Sequence, residues 1–263
     1  MNVQPVFGDQ LRQWRQRRRL SQMDLALDSE ISTRHLSFLE TGRAQPSREM
    51  VLRLAEQLGT PLRDRNRLLV AAGFAPIYSE RSLDDPEMTP IRQAVDLILQ
   101  GHRPHPALAF NADWDIVAAN DAIIHLLDGL DPGHPELQGN IARIALHPAG
   151  LASRILNLAE FRRHLVHRLQ SQVAATGNER LKRLLVEIST YPDPPSSDTW
   201  STNLGQIAVP MRLMSAGRVL SFISATTVFG SATDIILSEL ALESFFPADE
   251  ETAAYLLTNA IVN

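Results

Sequence analysis

The chain has 263 residues, of which 44% are hydrophobic, so it is long enough for two domains with separate cores. It contains no cysteine, which excludes disulfide bonds, thiol nucleophiles and cysteine-ligated zinc. The formal net charge is −5, no apolar run approaches the roughly twenty residues of a membrane span, and no signal-like segment opens the sequence; we therefore expect a cytoplasmic protein with no membrane partner.

The segment LSQMDLALDSEISTRHLSFLETGRAQP, residues 20–46, has the spacing of two short helices that meet at a tight turn. Ser21 is placed to cap a helix that begins at Gln22. Ser32 is placed to cap a second helix with apolar residues on its inward face. A second helix with a polar outward face is how many proteins read the major groove of DNA, although an ordinary helical hairpin has the same spacing.

The outward face of this second helix carries side chains that can read base edges. Arginine bridges two acceptors on guanine, serine and threonine donate or accept at several edges, and an aromatic ring packs on a thymine methyl group. The predicted base readers are Ser32, Thr33, Arg34, Ser37 and Phe38.

Basic charge is concentrated in residues 1–76, which carry twelve arginines against eight acidic residues. The remainder carries thirteen basic against twenty-two acidic residues, so attraction for phosphate is confined to one end of the chain. A solvated basic face has the same composition. The predicted phosphate contacts are Arg12, Arg17, Arg18, Arg19, Arg43 and Arg48.

Local signals predict a five-helix first domain and a mixed second one. Two helices follow the pair described above, at about 47–58 and 61–72, each with a glycine after it. Residues 77–90 are polar, acidic and interrupted by proline, which is typical of a connector. The predicted organisation is therefore an all-α domain over residues 1–76, a linker over 77–90 and an α+β domain over 91–263.

The second domain mixes both kinds of element. PALAF with WDIVAAN, and QIAVPMRLMS with RVLSFISATTVFG, read as two antiparallel hairpins, the latter turning at Ala216 and Gly217. Helices are predicted at about 91–100, 121–127, 150–175, 179–189 and 248–259.

Residues from about 7 to 76 resemble the helix-turn-helix domain of the xenobiotic-response-element (XRE) family of bacterial regulators, which is related to phage repressors. The string that carries the resemblance is SQxxLAx…ISTRHLSFLETGRxxPS. The resemblance implies that Gln22 steadies a DNA phosphate and that Thr33 and Arg34 read bases. We expect the protein to bind double-stranded DNA as a homodimer on a pseudo-palindromic site.

Two further features follow from this resemblance. It implies a partly buried ion pair between Arg15 and Glu40 that links the first helix to the recognition helix, whereas a solvated pair would contribute little. Where the family usually has glycine in the turn, this chain has Glu30. Because that position favours positive φ, we expect about 1 kcal/mol of local strain there.

From about residue 90 to the end, the chain resembles the ligand-binding domain of the MmyB-like transcription regulators. The strings that carry the resemblance are PALAFNADWDIVAAN, NIARIALHPAGL, NLAEFRRHLVHRL and LSELALESFFPADEETAAYL. The resemblance implies a PAS-like fold, in which helices cover one face of an antiparallel sheet around an apolar pocket. It also implies a fatty-acid-like or other small hydrophobic ligand, with no further cofactor.

A fatty acid would need a donor for its carboxylate, and a guanidinium group pairs with one bidentately. Arg143, His147 and Arg154 are the candidates; alternatively, Arg143 and His147 bond backbone carbonyls and hold an irregular NIARIALHPAG loop. Asn120 is expected to cap the helix that follows it. Phe110 and Trp114 are also candidates for ligand contact, although we expect them to belong to the hairpin core rather than to the pocket wall. For Met211, Met214 and Phe222, strand alternation cannot separate pocket wall from plain core.

Two other functions stay open at this point. Glu160, His164 and His167 fall on one helix face and would suit a metal-dependent hydrolase, but flanking arginines repel a cation and no GxSxG or phosphate loop occurs. An antitoxin or interaction module would use an open apolar surface to bind a protein. The sequence favours a DNA-binding regulator that is not an enzyme.

Overall fold

The computed structural model describes residues 6–127, 129–192, 209–229 and 234–261. Contacts divide the chain into two compact units. The first holds the residues up to Arg81 together with 174–176 and 234–238, and the second holds the rest. The first boundary, between Arg81 and Ser82, falls inside the predicted connector. Among the helices described, none combines the length and the apolar character that a bilayer crossing requires.

The first unit contains the five predicted helices. They are α1 (Phe7–Arg17), α2 (Gln22–Asp28), α3 (Thr33–Glu40), α4 (Arg48–Gln57) and α5 (Leu62–Ala71). Apolar residues from all five form one core, in which Leu11, Leu25, Leu36 and Leu69 are completely buried. The inward face of α3 is therefore fixed by packing, and its opposite face is left to solvent.

Both predicted caps of the central helices are present. The Ser21 hydroxyl accepts from the backbone N–H of Asp24 at 3.1 Å, and the Asp24 carboxylate accepts from the Ser21 N–H at 2.9 Å. The Ser32 hydroxyl accepts from the His35 N–H at 3.1 Å. The Ser21–Asp24 bonds are reciprocal, whereas Ser32 makes a single capping bond. Each cap satisfies a helix N–H group that would otherwise lack a partner, which is why α2 and α3 begin where the sequence predicts.

Glu30, between α2 and α3, has a φ of 55°, in the left-handed region that favours glycine. Its side chain is exposed, so removing it sacrifices no packing. We expect Glu30→Gly to raise the free energy of unfolding by roughly 0.5–1 kcal/mol, measured by chemical denaturation. Asp28→Gly, two residues earlier and inside α2, is the control and should lower it by a similar amount. Equal effects of the two glycines would contradict the strain argument.

The second unit is built from helices around one sheet. Its helices are α6 (Thr89–Gly101, preceded by a 3₁₀ turn at Pro86–Met88), α7 (Asp121–Leu126), α8 (Ile141–Leu146), α9 (Leu158–Thr176), α10 (Glu179–Ser189) and α12 (Glu250–Ile261), while the short α11 (Ile235–Ser238) counts with the first unit. Its strands are β1 (Ala107–Phe110), β2 (Ile116–Ala119), β3 (Met211–Ser215), β4 (Arg218–Val228) and β5 (Ala241–Pro247).

The sheet is antiparallel, with the strand order β2-β1-β5-β4-β3. Both predicted hairpins are present within the described residues, although residues 206–208 of the predicted run QIAVPMRLMS lie outside them. The β3–β4 turn places Ala216 and Gly217 at φ values of 48° and 74°, as a tight two-residue turn requires. The strand that joins the hairpins, β5, is missing from the sequence prediction. Its sequence, ALESFFP, carries Glu243 and Ser244 inside a central strand, so no alternation marked it.

The long middle helix begins at Leu158, not at about Gly150 as predicted. The residues before it run as turns along β3: Leu156 N–H donates to the Arg212 carbonyl, and Met214 N–H donates to the Arg154 carbonyl, both at 2.8 Å. Pairing with a strand that lies far away in sequence overrides the helical periodicity of this stretch.

Two other local predictions are wrong. The segment NIARIALHPAG is not an irregular loop, because α8 begins in it behind Asn140, whose side chain accepts from two backbone N–H groups. Asn120 does not cap α7 with its side chain. Its amide instead accepts from Ala107 N–H at 3.0 Å and donates to the carbonyls of Leu99 and His105. It therefore links β1 to the end of α6.

Candidate DNA-binding helix and ligand pocket

The outward face of α3 presents most of the predicted base readers to solvent. Thr33 and Arg34 are exposed, and Ser37 and Phe38 are half-buried. The Arg34 guanidinium lies over the Phe38 ring, 5.3 Å from its centre. This cation–π contact uses the flat face of the guanidinium and leaves the N–H groups at its edge available for other partners. Ser32 caps the helix with its hydroxyl, so its part in reading bases stays a prediction.

Glu40, at the end of α3, links three helices. Arg15 of α1 donates to both of its carboxylate oxygens, at 2.6 and 3.0 Å, and Gln22 of α2 donates its amide at 2.8 Å. Burial alone would raise the pKa of Glu40, but the bonds from Arg15 and Gln22 outweigh it and the pKa lies below its ordinary value. The pair implied by the resemblance is thus a buried network that also orients Gln22.

Two of the predicted phosphate contacts are engaged inside the first unit. The Arg18 guanidinium donates to the carbonyls of Leu58 and Gly59, each at 2.7 Å, at the end of α4. The Arg17 guanidinium lies 4.5 Å from the centre of the Trp14 ring. Both side chains are half-buried, and their contact with phosphate stays a prediction.

The remaining basic candidates lie at the surface. Arg12, Arg19 and Arg43 are exposed. Arg48, at the start of α4, is exposed and lies over the Phe74 ring at 5.7 Å. Long-range attraction for phosphate requires only that such charges stay in solvent, so these four are the basic side chains best placed for it.

The second unit contains an apolar pocket of about 80 Å³. The predicted residues Phe110, Trp114 and Met211 line it, together with side chains from α7, α8, α9 and β5. Phe222 is 1% exposed and lies in the adjoining core, edge-on to the Phe245 ring. Phe110 and Trp114, expected in the hairpin core rather than in the pocket wall, thus belong to both. Met211 lies in the wall and Phe222 in the adjoining core, a separation that strand alternation alone does not give.

One face of α9 forms a wall of the pocket. Phe161, His164, Leu165 and Arg168 line it, at the spacing i, i+3, i+4 and i+7 that places side chains on one side of a helix. Glu160 instead accepts from the Asn157 side chain at 3.2 Å. Within the described ranges, no three His, Asp or Glu side chains are grouped so that they would hold a metal ion.

A buried ion pair forms the polar end of this pocket. Arg168 donates one terminal nitrogen to each oxygen of Glu243, at 3.0 and 2.8 Å, and the Thr226 hydroxyl donates to the same carboxylate at 2.9 Å. Glu243 is 5% exposed. Burial would raise the pKa of Glu243, but the bonds from Arg168, Ser224 and Thr226 outweigh it and the pKa is lowered.

Aromatic rings hold the other partner of this pair. The Arg168 guanidinium lies 5.6 Å from the centre of the Phe110 ring and 5.0 Å from that of Trp114. Beside it, burial and then the charge of Arg168 lower the pKa of His164 below 6.5. This shift favours the uncharged imidazole, in which one nitrogen is a donor and the other an acceptor.

The basic residues predicted to bind a carboxylate lie elsewhere. Arg143 donates to both oxygens of Glu187, at 2.8 and 2.7 Å, rather than to backbone carbonyls. His147 packs edge-on to Tyr191, with ring centres 4.9 Å apart. Arg154 donates to a backbone carbonyl of β3 at 3.0 Å. None of the three is among the side chains that line the pocket described above.

Comparisons with known protein families bear on both units. Residues 91–257 match the family model described as MmyB-like transcription regulator ligand binding domain. Residues 6–68 match the model described as Helix-turn-helix domain. No curated protein matches the chain.

Proposed function

The chain belongs to the family of helix-turn-helix transcription regulators with an MmyB-like ligand-binding domain, and from this premise we propose how it works. The protein binds a specific DNA site through α3, and a small hydrophobic ligand in the pocket of the second unit alters that binding. It acts on the chromosome in the cytoplasm, as a homodimer on a two-fold symmetric site.

The observation that carries the DNA-binding part is the outward face of α3. Its buried side fixes the helix, and the Glu40 network fixes its end, so Thr33 and Arg34 project from a rigid element. Arg34 has the planar donor edge that reads guanine in the major groove. Arg43 lies just beyond the helix, where an exposed charge positions the backbone of DNA without reading its sequence.

The pocket supports a ligand with an apolar body and one polar end. About 80 Å³ is room for roughly half a dozen water-sized groups, which suits a short fatty-acid-like chain. On the late strands, Leu213, Leu220 and Phe222 are at most 1% exposed, whereas Met214 and Val228 are 37% and 64% exposed. The enclosed side chains beside the pocket favour a small molecule as its occupant. The ligand alters DNA binding only if it binds one arrangement of the protein better than another.

Arginine variants test the DNA-binding proposal. A site is first selected from random DNA with the wild-type protein, and affinities are then measured at several salt concentrations. We expect Arg34→Ala to cost about 1–3 kcal/mol and to relax the preference at one base pair. Arg43→Ala should weaken all sequences about equally and flatten the salt dependence.

Arg218, exposed on the β3–β4 hairpin of the second unit, provides the matched control. Arg218→Ala removes the same charge and should leave the affinity for DNA unchanged. If Arg34→Ala kept both the affinity and the base preference, the assignment of the reading face on α3 would be wrong.

A further inference from the structure

The side chains at the polar end of the pocket determine which head group a ligand can have, on the premise that the pocket binds a small hydrophobic ligand as proposed above. We propose that it selects an uncharged head group able to donate and accept hydrogen bonds, such as an alcohol or a primary amide. A free carboxylate is the head group it disfavours.

Two polar side chains, those of His164 and Ser224, lie at the opening of the pocket. Among the residues that line it, His164 and Ser224 are exposed, whereas the aromatic and aliphatic side chains are buried or half-buried. A ligand that places its apolar body inside therefore presents its head group to His164, Ser224 and the Arg168–Glu243 pair.

The ion pair leaves no net positive charge for an anion. Both terminal nitrogens of Arg168 are bound to Glu243, and Glu243 also accepts from Thr226 and Ser224. A ligand carboxylate at this end would face the Glu243 carboxylate, which is 5% exposed and therefore poorly screened by solvent, so the two like charges would repel. Capturing Arg168 would not help, because Glu243 would then be a buried charge without its partner.

An uncharged head group meets suitable partners at the same place. The exposed imidazole of His164 offers one donor and one acceptor in its uncharged form, which its lowered pKa favours, and among the described residues neither ring nitrogen has a hydrogen-bond partner. The Ser224 hydroxyl, which also lines the pocket, donates its proton to Glu243 and so offers the ligand an acceptor. A hydroxyl or amide therefore exchanges its hydrogen bonds with water for equivalent ones in the protein.

Octan-1-ol and octanoate are probes with the same number of carbons and different head groups. Titrated calorimetrically into the full-length protein at pH 7.5, where octanoate is charged, the alcohol should bind at least tenfold more tightly. Because an alcohol is also the more hydrophobic probe, the decisive readout is the ratio of affinities in Glu243→Gln. That variant removes the competing carboxylate and leaves Arg168 charged, so octanoate should gain at least tenfold relative to octanol.

Glu187→Gln makes the same change in the Arg143 pair, outside the pocket, and should leave the ratio unchanged. His164→Phe alters an exposed residue, tests the head group without touching the ion pair, and should weaken octanol about tenfold. Three results would each overturn the inference and leave ligand sensing intact. They are equal or tighter binding of octanoate to the wild-type protein, an unchanged ratio of affinities in Glu243→Gln, and full octanol affinity in His164→Phe. Failure of both probes to bind the wild-type protein would overturn the inference and the proposed ligand sensing together.

Discussion

Replacing Glu40 with alanine is expected to lower the free energy of unfolding of the helix-turn-helix unit by about 3 kcal/mol. The Glu40 side chain is 3% exposed and that of Arg15 is 11% exposed, so the cation left behind is largely shielded from water. Gln22 loses its acceptor at the same time. Removing one partner of a buried ion pair costs more than the pair contributes, because the remaining charge has no compensation.

Hydrogen exchange of the backbone amides of α3 in the full-length protein, combined with chemical denaturation, measures this effect. The control is the double variant Arg15→Met/Glu40→Leu, which replaces both charges by apolar side chains of similar size and should recover most of the stability. If Glu40→Ala exchanged as slowly as the wild-type protein, the network would be a solvated pair of little consequence.

The pH dependence of the same residue gives an independent measure. The pKa of folded Glu40 lies below its ordinary value of 4.5, so its contribution is present at neutral pH and is lost as the pH falls below about 4.5. The stability difference between the wild-type protein and Glu40→Gln should therefore be largest near pH 7 and shrink toward pH 3. A difference that did not depend on pH would show that the charge of Glu40 is immaterial.

The sequence predicts the helix-turn-helix unit closely because its signals are local. Ser21 and Ser32 mark where helices begin, and Gly59 and Gly73, which have positive φ, mark where α4 and α5 end. Each depends on side chains within a few residues of the backbone they organise. The positive φ of Glu30 is also a local feature, because the turn between α2 and α3 requires that backbone conformation whichever residue occupies the position.

The polar end of the pocket could not be predicted from such local signals. Arg168 and Glu243 are 75 residues apart, and they meet only because β5, a strand the sequence did not reveal, takes the central place in the sheet. The helical period on α9 suggested a metal site that grouped His164 with Glu160 and His167. The helix face that lines the pocket instead runs from Phe161 through His164 to Arg168. The available signal was the position of Arg168 on a helix face that also carries Phe161 and Leu165.

Gly8→Ala is the other substitution for which we expect a large loss of stability, about 3 kcal/mol, at the upper end for an added methyl group in a packed site. A Cβ at Gly8 would lie 2.5 Å from the Glu40 carbonyl oxygen and 2.6 Å from that of Leu39. Both atoms belong to the backbone of α3 and cannot rotate away. α1 must therefore move off the end of α3, which disturbs the helix that presents the predicted base readers.

Denaturation of the full-length variant measures the loss of stability, and DNA affinity should fall with it. The control is Gly101→Ala at the end of α6, where an added Cβ meets nothing within 4 Å; it should be neutral or stabilise by roughly 0.5–1 kcal/mol. Both glycines lie in helices, so local propensity predicts that alanine stabilises each of them. If the two variants change the free energy of unfolding in opposite directions, the close approach of α1 to α3 determines the effect at residue 8. If they change it in the same direction, α1 and α3 move apart at little cost.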